Sequence, residues 1–223
     1  MEFKKYVIYA GNYGSGKTEL SINTALDLAA RQKKTILVDM DIVNPYFRSS
    51  EHEAMLNEKG IQVVKPCFAN TMVDVPSLPA EIFTPFDSPI DHGIYDAGGD
   101  PVGAAALGQL AEKFQADWEN TEFLYVINTF RPLQETAESV AEMLRLIEGT
   151  SKLKVTGLIN NANLAVYTEP EMVRQGQEIV EQVSRMTGIP QKFTAILEEH
   201  AHLVDWGEVY PIRLFMRPEW LDS

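Results

Sequence analysis

Gly11, Gly16, Lys17 and Thr18 stand at the spacing G-x-x-x-x-G-K-[ST] in the stretch GNYGSGKTEL, directly after the apolar run YVIYA. Each residue type in that pattern has a use in holding phosphate. Glycines let the backbone curl so that the N–H groups of Asn12, Tyr13, Gly14, Ser15 and Gly16 turn inward. Lys17 brings positive charge to the β- and γ-phosphates, and Thr18 offers a hydroxyl to Mg²⁺. The helix predicted to follow adds its positive dipole end. A strand before such a loop and a helix after it separate the motif from an ordinary glycine turn, and the ligand it predicts is a nucleoside triphosphate with Mg²⁺.

Carboxylates follow in two further stretches. ILVDMDIVNPYFRSSE places Asp39 and Asp41 two residues apart, on one side of the chain as it leaves a strand. One can hold a Mg²⁺-bound water and the other orient the attacking water. GIYDAGGDPVG ends another strand with Asp96, Gly98, Gly99 and Asp100. Asp96 suits a carboxylate near the metal, and Gly99 can offer its N–H to a γ-phosphate and move when that phosphate leaves.

These residues need elements to position them. Short β-branched or aromatic runs alternate with amphipathic segments of helix length: YVIYAG, then 17–31; KTILVDMD, then about 48–59; IQVVKP; HGIYDAGG, then about 102–117; EFLYVINTF, then about 132–148; LKVTGLINNA, then about 169–187; KFTAIL, then a short helix near 200–205. Strands apolar on both faces and separated by helices predict an α/β fold, a parallel sheet with helices on both faces, in one domain over residues 1–223. Ligands of such sheets bind at the carboxyl ends of the strands. The polar and glycine residues collect there: 11–18, Asp39 and Asp41, 96–100, 129–131 and 160–163. Residues 67–89, rich in proline, predict a long loop beside the site.

Composition narrows the partners. A net charge of −13 with scattered basic residues gives no footprint for nucleic acid or an anionic membrane. No run of about 18 apolar residues occurs and the amino terminus lacks a signal-peptide pattern, which predicts no membrane span and a cytoplasmic protein. The single cysteine, Cys67, excludes an intramolecular disulfide and a thiolate site of its own, so no iron–sulfur cluster is expected. His200 and His202, two residues apart on a helix, diverge by about 200° and would not converge on one ion. They read as surface histidines, as do His52 and His92. Trp118, Trp206 and Trp220 read as packing residues.

In order and spacing, Gly11–Thr18, VDMDIVNP and YDAGGDPVG resemble the MinD/ParA/nitrogenase-iron-protein group of P-loop NTPases, the CobQ/CobB/MinD/ParA nucleotide-binding domains of the SIMIBI class. The resemblance implies a P-loop NTPase in which Lys17 and Thr18 bind phosphate and Mg²⁺, Asp39 and Asp96 assist the metal, and Asp41 positions the hydrolytic water. It aligns Asn161, and with it Asn160, with the asparagine that hydrogen-bonds adenine, and Leu197 and Glu198 with a loop over the base. The guanine motif N-K-x-D would need aspartate where Asn163 stands, which favours ATP over GTP. Two departures carry weight. Gly103 occupies the place of the iron protein's cluster-ligand cysteine. Asn12 replaces the signature lysine with which MinD and ParA ATPases reach a partner subunit's nucleotide, so a homodimer activated in that way needs another group, such as Arg48.

Tyr46, Phe47 and Arg48 would form a patch for a protein partner if exposed. The tail VYPIRLFMRPEWLDS, interrupted by Pro211 and Pro218, does not read as a membrane-targeting helix. The leading expectation is a slow, Mg²⁺-dependent ATPase whose nucleotide state switches contacts with a partner protein or enzyme. The alternative is a ligase or kinase of the cobyrinate-amidase or dethiobiotin-synthetase type, with Arg48, Lys65 and Arg131 as a basic pocket for a small carboxylic acid. A binding-only module is the third reading.

Overall fold

Successive residues of the first strand bury on opposite faces of a sheet. Tyr6, Ile8 and Ala10 join one apolar core, while Val7 and Tyr9 join a second. A strand that must bury both faces needs helices above and below it. The computed structural model describes residues 1–40, 52–65, 80–99 and 101–215. Asp41, the stretch 44–51 with Tyr46, Phe47 and Arg48, Cys67, Asp100, Pro218 and Trp220 lie outside the described residues.

The strands are β1 (Tyr6–Ala10), β2 (Thr35–Met40), β3 (Gln62–Val64), β4 (His92–Ala97), β5 (Thr121–Ile127), β6 (Gly157–Asn160), β7 (Gln191–Leu197) and β8 (Val209–Ile212). The helices are α1 (Lys17–Ala30), α2 (Glu53–Glu58), α3 (Thr84–Asp87), α4 (Pro101–Gly108), α5 (Ala111–Ala116), α6 (Ala137–Ser151) and α7 (Pro170–Thr187). The strands form one parallel sheet in the order β3-β2-β4-β1-β5-β6-β7-β8. The chain leaves β1 toward β2 on one side and later crosses from β4 to β5 on the other. That reversal opens a crevice at the carboxyl end of β1, where ligands of open parallel sheets bind.

Two cores sandwich the sheet. Leu20, Ile22, Ala25 and Leu28 of α1 and Leu56 of α2 pack on Val7, Tyr9, Leu37 and Ile94. Leu107 of α4, Phe114 of α5, Val140 and Leu144 of α6 and Val180 of α7 pack on Tyr6, Ile8, Val38 and Tyr95. Phe114 sits edge-on to Tyr95 with ring centroids 4.9 Å apart, an arrangement that aligns the positive ring edge with the negative ring face.

Several boundaries differ from the sequence reading. The predicted helix over 102–117 divides into α4 and α5, separated by a turn at Gln109 and Leu110. The helix expected from 132 starts at Ala137, because Thr136 caps it by accepting a hydrogen bond from the Ser139 N–H at 3.2 Å. That leaves 128–136 as a folded turn. Of the predicted loop over 67–89, residues 80–87 form a 3₁₀ turn followed by α3. The short helix near 200 is a 3₁₀ segment, Glu198–Leu203. The strand β8 was not anticipated. Pro211 reads as a breaker in sequence, yet among the described residues β8 is an edge strand with a single partner, where a missing N–H is tolerated.

Candidate nucleotide site

The chain between β1 and α1 makes the first part of the site. Gly11, Gly14 and Gly16 adopt φ of 148°, 72° and 94°, values that L side chains rarely take. With them the backbone from Gly11 to Gly16 folds into a loop closed by a Ser15 N–H to Asn12 carbonyl bond of 3.2 Å. The cap residue of α1 is Gly16, which has no side chain to accept from the first turn. Helix N–H groups in that state attract an anion. Lys17 is buried at the rim, and its Nζ donates to the Asn12 carbonyl at 3.0 Å. Thr18 is half-buried beside it.

Neighbouring strands complete the crevice. Asp39 and Asp96 are register partners at the carboxyl ends of β2 and β4, and both are buried. Two buried carboxylates at adjoining strand ends, with a threonine in the first turn of the helix that follows the phosphate loop, are the hard oxygen donors that suit Mg²⁺, which takes one or two carboxylates and otherwise water and phosphate. The donor set fits that ion. Asp41 follows β2 outside the described residues.

Gly99 lies against the phosphate loop. A methyl in place of its hydrogen would come within 2.8 Å of the Tyr13 nitrogen and 2.9 Å of Lys17 Nζ. The glycine expected to sense a γ-phosphate therefore rests on two of the groups that would hold one. A side chain at Gly103 would meet the Gly98 backbone at 2.8 Å, so this packing has no room for a cysteine there.

On the other flank, Asn161 is buried after β6 and donates from Nδ2 to the Ser15 carbonyl at 2.6 Å. A side chain on Gly16 would run into that amide. Asn163 donates from Nδ2 to the Asn161 side-chain oxygen at 3.0 Å. Asn160 is placed differently. It is fully buried, donates to the Val173 carbonyl at 3.2 Å and accepts from the Ala162 N–H at 3.1 Å, which ties β6 to α7.

A cavity of about 530 Å³ opens at the carboxyl ends of β7 and β8, lined in part by Val166, Leu197, Glu198, Arg213 and Phe215. It adjoins α1, since the Phe215 N–H donates to the Glu19 carboxylate at 2.5 Å. Leu197 and Glu198, read from the sequence as base-side residues, line it. Arg213 donates to Glu198 at 2.7 Å, and that bond, with the guanidinium's charge, holds the Glu198 carboxyl below its usual range.

The sequence reading did not single out Asn128 or Gln134. Asn128 accepts from the N–H groups of Phe130 and Asn163 and donates to the Asn163 carbonyl at 3.2 Å, which ties the β5 and β6 loops together. The Gln134 side chain accepts from the Asn128 N–H at 3.0 Å. The available signal was a polar residue ending a strand of seven buried residues. Asn12 is nine-tenths buried; its Nδ2 donates to the Pro132 carbonyl at 3.1 Å and its Oδ1 accepts from the Tyr13 N–H at 2.8 Å.

The profile of the CobQ/CobB/MinD/ParA nucleotide binding domain matches residues 6–190. The chain belongs to that family. Members are P-loop nucleotide-binding proteins. No curated protein matches it in sequence. Among solved structures it is similar to the cell division protein FtsY of Thermotoga maritima, at 20% identity and a TM-score of 0.53, over 89% of this chain and 64% of that one. It is also similar to the signal recognition particle 54 kDa protein of Aeropyrum pernix, solved in complex with GDP, at 18% identity and a TM-score of 0.57, over 86% of this chain and 41% of that one. The chain spans less than two thirds of the length of these neighbours, and at such identities the likeness is one of fold: a parallel α/β sheet with helices, of the P-loop NTPase kind. Among the described residues no helix is long and apolar enough to cross a membrane.

Proposed function

We propose that this protein is a Mg²⁺-dependent ATPase whose nucleotide state switches its contacts with a protein partner. One observation carries the reading: Gly99, three residues after Asp96, packs directly on Tyr13 and Lys17 of the phosphate loop. A γ-phosphate drawing Lys17 toward itself changes the surface on which Gly99 rests, and the segment after β4 must respond.

The Tyr13 and Ser15 N–H groups are engaged by Asn12, so the phosphates are left to the N–H groups of Gly14 and Gly16, and Lys17 exchanges its bond to the Asn12 carbonyl for phosphate oxygens. Thr18, Asp39 and Asp96 would hold Mg²⁺, which neutralises charge on the β- and γ-phosphate oxygens. Asp41 is assigned the orientation of the attacking water. Asn161 supports the loop from the base side, and the cavity beside Leu197 is the place for the base. Asn163 in place of an aspartate supports adenine over guanine. Lys65, a member of the alternative carboxylate pocket, pairs with Glu53 at 2.5 Å beyond the edge strand β3. It stands three strands from β1, about 14 Å at the usual spacing.

The test combines binding and capture. Fluorescent ATP and GTP analogues are titrated with Mg²⁺, phosphate release is followed without any acceptor, and Lys17→Ala serves as the control. Tighter ATP binding, slow release and partner capture that depends on a non-hydrolysable ATP analogue are the expected results. Tighter GTP binding would overturn the base assignment, and nucleotide-independent capture would overturn the switch.

A further inference from the structure

The geometry points to Arg131 as a phosphate-contacting residue that acts on the nucleotide of its own chain, with Asn12 as the residue that positions it. This inference rests on the proposed NTPase reading and adds a cationic group to its site.

Arg131 stands in the turn after β5, and its side chain lies across the phosphate loop. A methyl in place of a Gly14 hydrogen would come within 3.4 Å of Arg131 Cδ and 3.6 Å of Nε. The residue is exposed, and its guanidinium has no hydrogen bond or ion pair among the described residues. The turn around it is held firmly. The Arg131 N–H donates to the Asn128 carbonyl at 3.1 Å, and the Gln134 N–H to the Arg131 carbonyl at 3.2 Å. Gln134 is fully buried, and Leu133 sits at φ 64°, a conformation costly for a leucine. Such expense in a solvent-facing turn fits a need to hold its neighbour in place.

Asn12 fastens the turn to the phosphate loop through its bond to the Pro132 carbonyl. Both ends of its amide are used within its own chain, and the residue is nine-tenths buried. Asn12 is thereby engaged within its own chain. Its bond joins the phosphate loop to the residue directly after Arg131, so the local positive charge comes from the same chain.

In hydrolysis a water oxygen bonds to the γ-phosphorus and the bond from that phosphorus to the β–γ bridging oxygen breaks. The electron pair stays on the β-phosphate, and a proton of the water passes to solvent with the released phosphate. Charge grows on the bridging oxygen, where a planar guanidinium can donate two hydrogen bonds.

The experiment measures Mg²⁺-ATP turnover and fluorescent-ATP binding for wild type, Arg131→Ala, Arg131→Lys, Asn12→Ala and the double variant Asn12→Ala/Arg131→Ala. Turnover should fall at least about 100-fold in Arg131→Ala, the scale of removing one transition-state donor, while the dissociation constant changes less than tenfold. Asn12→Ala should slow wild type but add nothing in the Arg131→Ala background, an interaction that a merely structural loss would not produce. Mixing Arg131→Ala with Lys17→Ala should restore nothing. Equal turnover of Arg131→Ala and wild type, or recovery in the mixture, overturns the inference alone. A wild type that neither binds nor hydrolyses nucleotide overturns both this inference and the function on which it rests.

Discussion

Replacing Asn161 with alanine separates support of the phosphate loop from contact with the base. In the structure Asn161 Nδ2 donates to the Ser15 carbonyl at 2.6 Å, and both residues are buried. Alanine deletes that donor and leaves the carbonyl without it in a place water reaches poorly, a change that costs about 1–3 kcal/mol. The Asn163 amide also loses its bond to the Asn161 side-chain oxygen but keeps its 2.8 Å bond to the Asn161 carbonyl, so this second loss is small. A total near 2 kcal/mol lowers the melting temperature by about 4–8 °C for a chain of this size. Thermal denaturation gives the first reading. Isothermal titration with ATP and with inorganic tripolyphosphate gives the second, because a residue that works by shaping the loop weakens both ligands. A melting temperature within 1 °C of wild type, or weakened ATP with unchanged tripolyphosphate, would refute the loop-support argument.

Gly99→Ala forces a methyl to within 2.8 Å of the Tyr13 nitrogen. It should abolish the difference in protease sensitivity between the ATP and ADP states, and a retained difference counts against the proposed switch. Gly176→Ala in α7 places a methyl 2.7 Å from the Asn160 side-chain oxygen and should cost about 1–3 kcal/mol by overpacking, read from urea denaturation midpoints. Burial holds the Tyr9, Tyr95 and Tyr125 phenols well above their ordinary value and pushes Tyr210 up to about 12. The unfolded chain releases these protons from about pH 10 while the folded chain keeps them, so stability is full below pH 10 and drops above it by about 1.4 kcal/mol per pH unit per tyrosine. Urea midpoints that stay flat from pH 9.5 to 11.5 would contradict that burial.

The elements that carry the candidate site were legible in the sequence because phosphate chemistry restricts residue types at fixed spacing. Gly11, Gly16, Lys17 and Thr18 announce a loop whose backbone geometry scarcely varies, and Asp39 and Asp96 sit at strand ends that the apolar runs before them define. The turn at 128–136 was not legible. Its bonds run from Asn128 to Asn163 and from Asn12 to Pro132, between residues 35 and 120 positions apart. No local pattern encodes such pairings. For the same reason Asn160 and Asn161, adjacent and chemically identical, differ in role: one ties β6 to α7 and the other props the phosphate loop. The strand β8 was hidden because Pro211 is judged by what it does inside a sheet, and an edge position removes the penalty.

That proline bears on how the molecule meets others of its kind. The Thr194 N–H donates to the Glu208 carbonyl, so by the alternation of a strand residues 208, 210 and 212 face β7, while 209, 211 and 213 face outward. On the outward side Pro211 has no N–H to offer, and the N–H of Arg213 already donates to Asn23 of α1 at 2.8 Å. An extended chain arriving at β8 finds one donor, that of Val209, where a regular ladder would present three. Among the described residues this border of the sheet is therefore a poor template for lengthening, which disfavours copies of the protein continuing one another's backbone there.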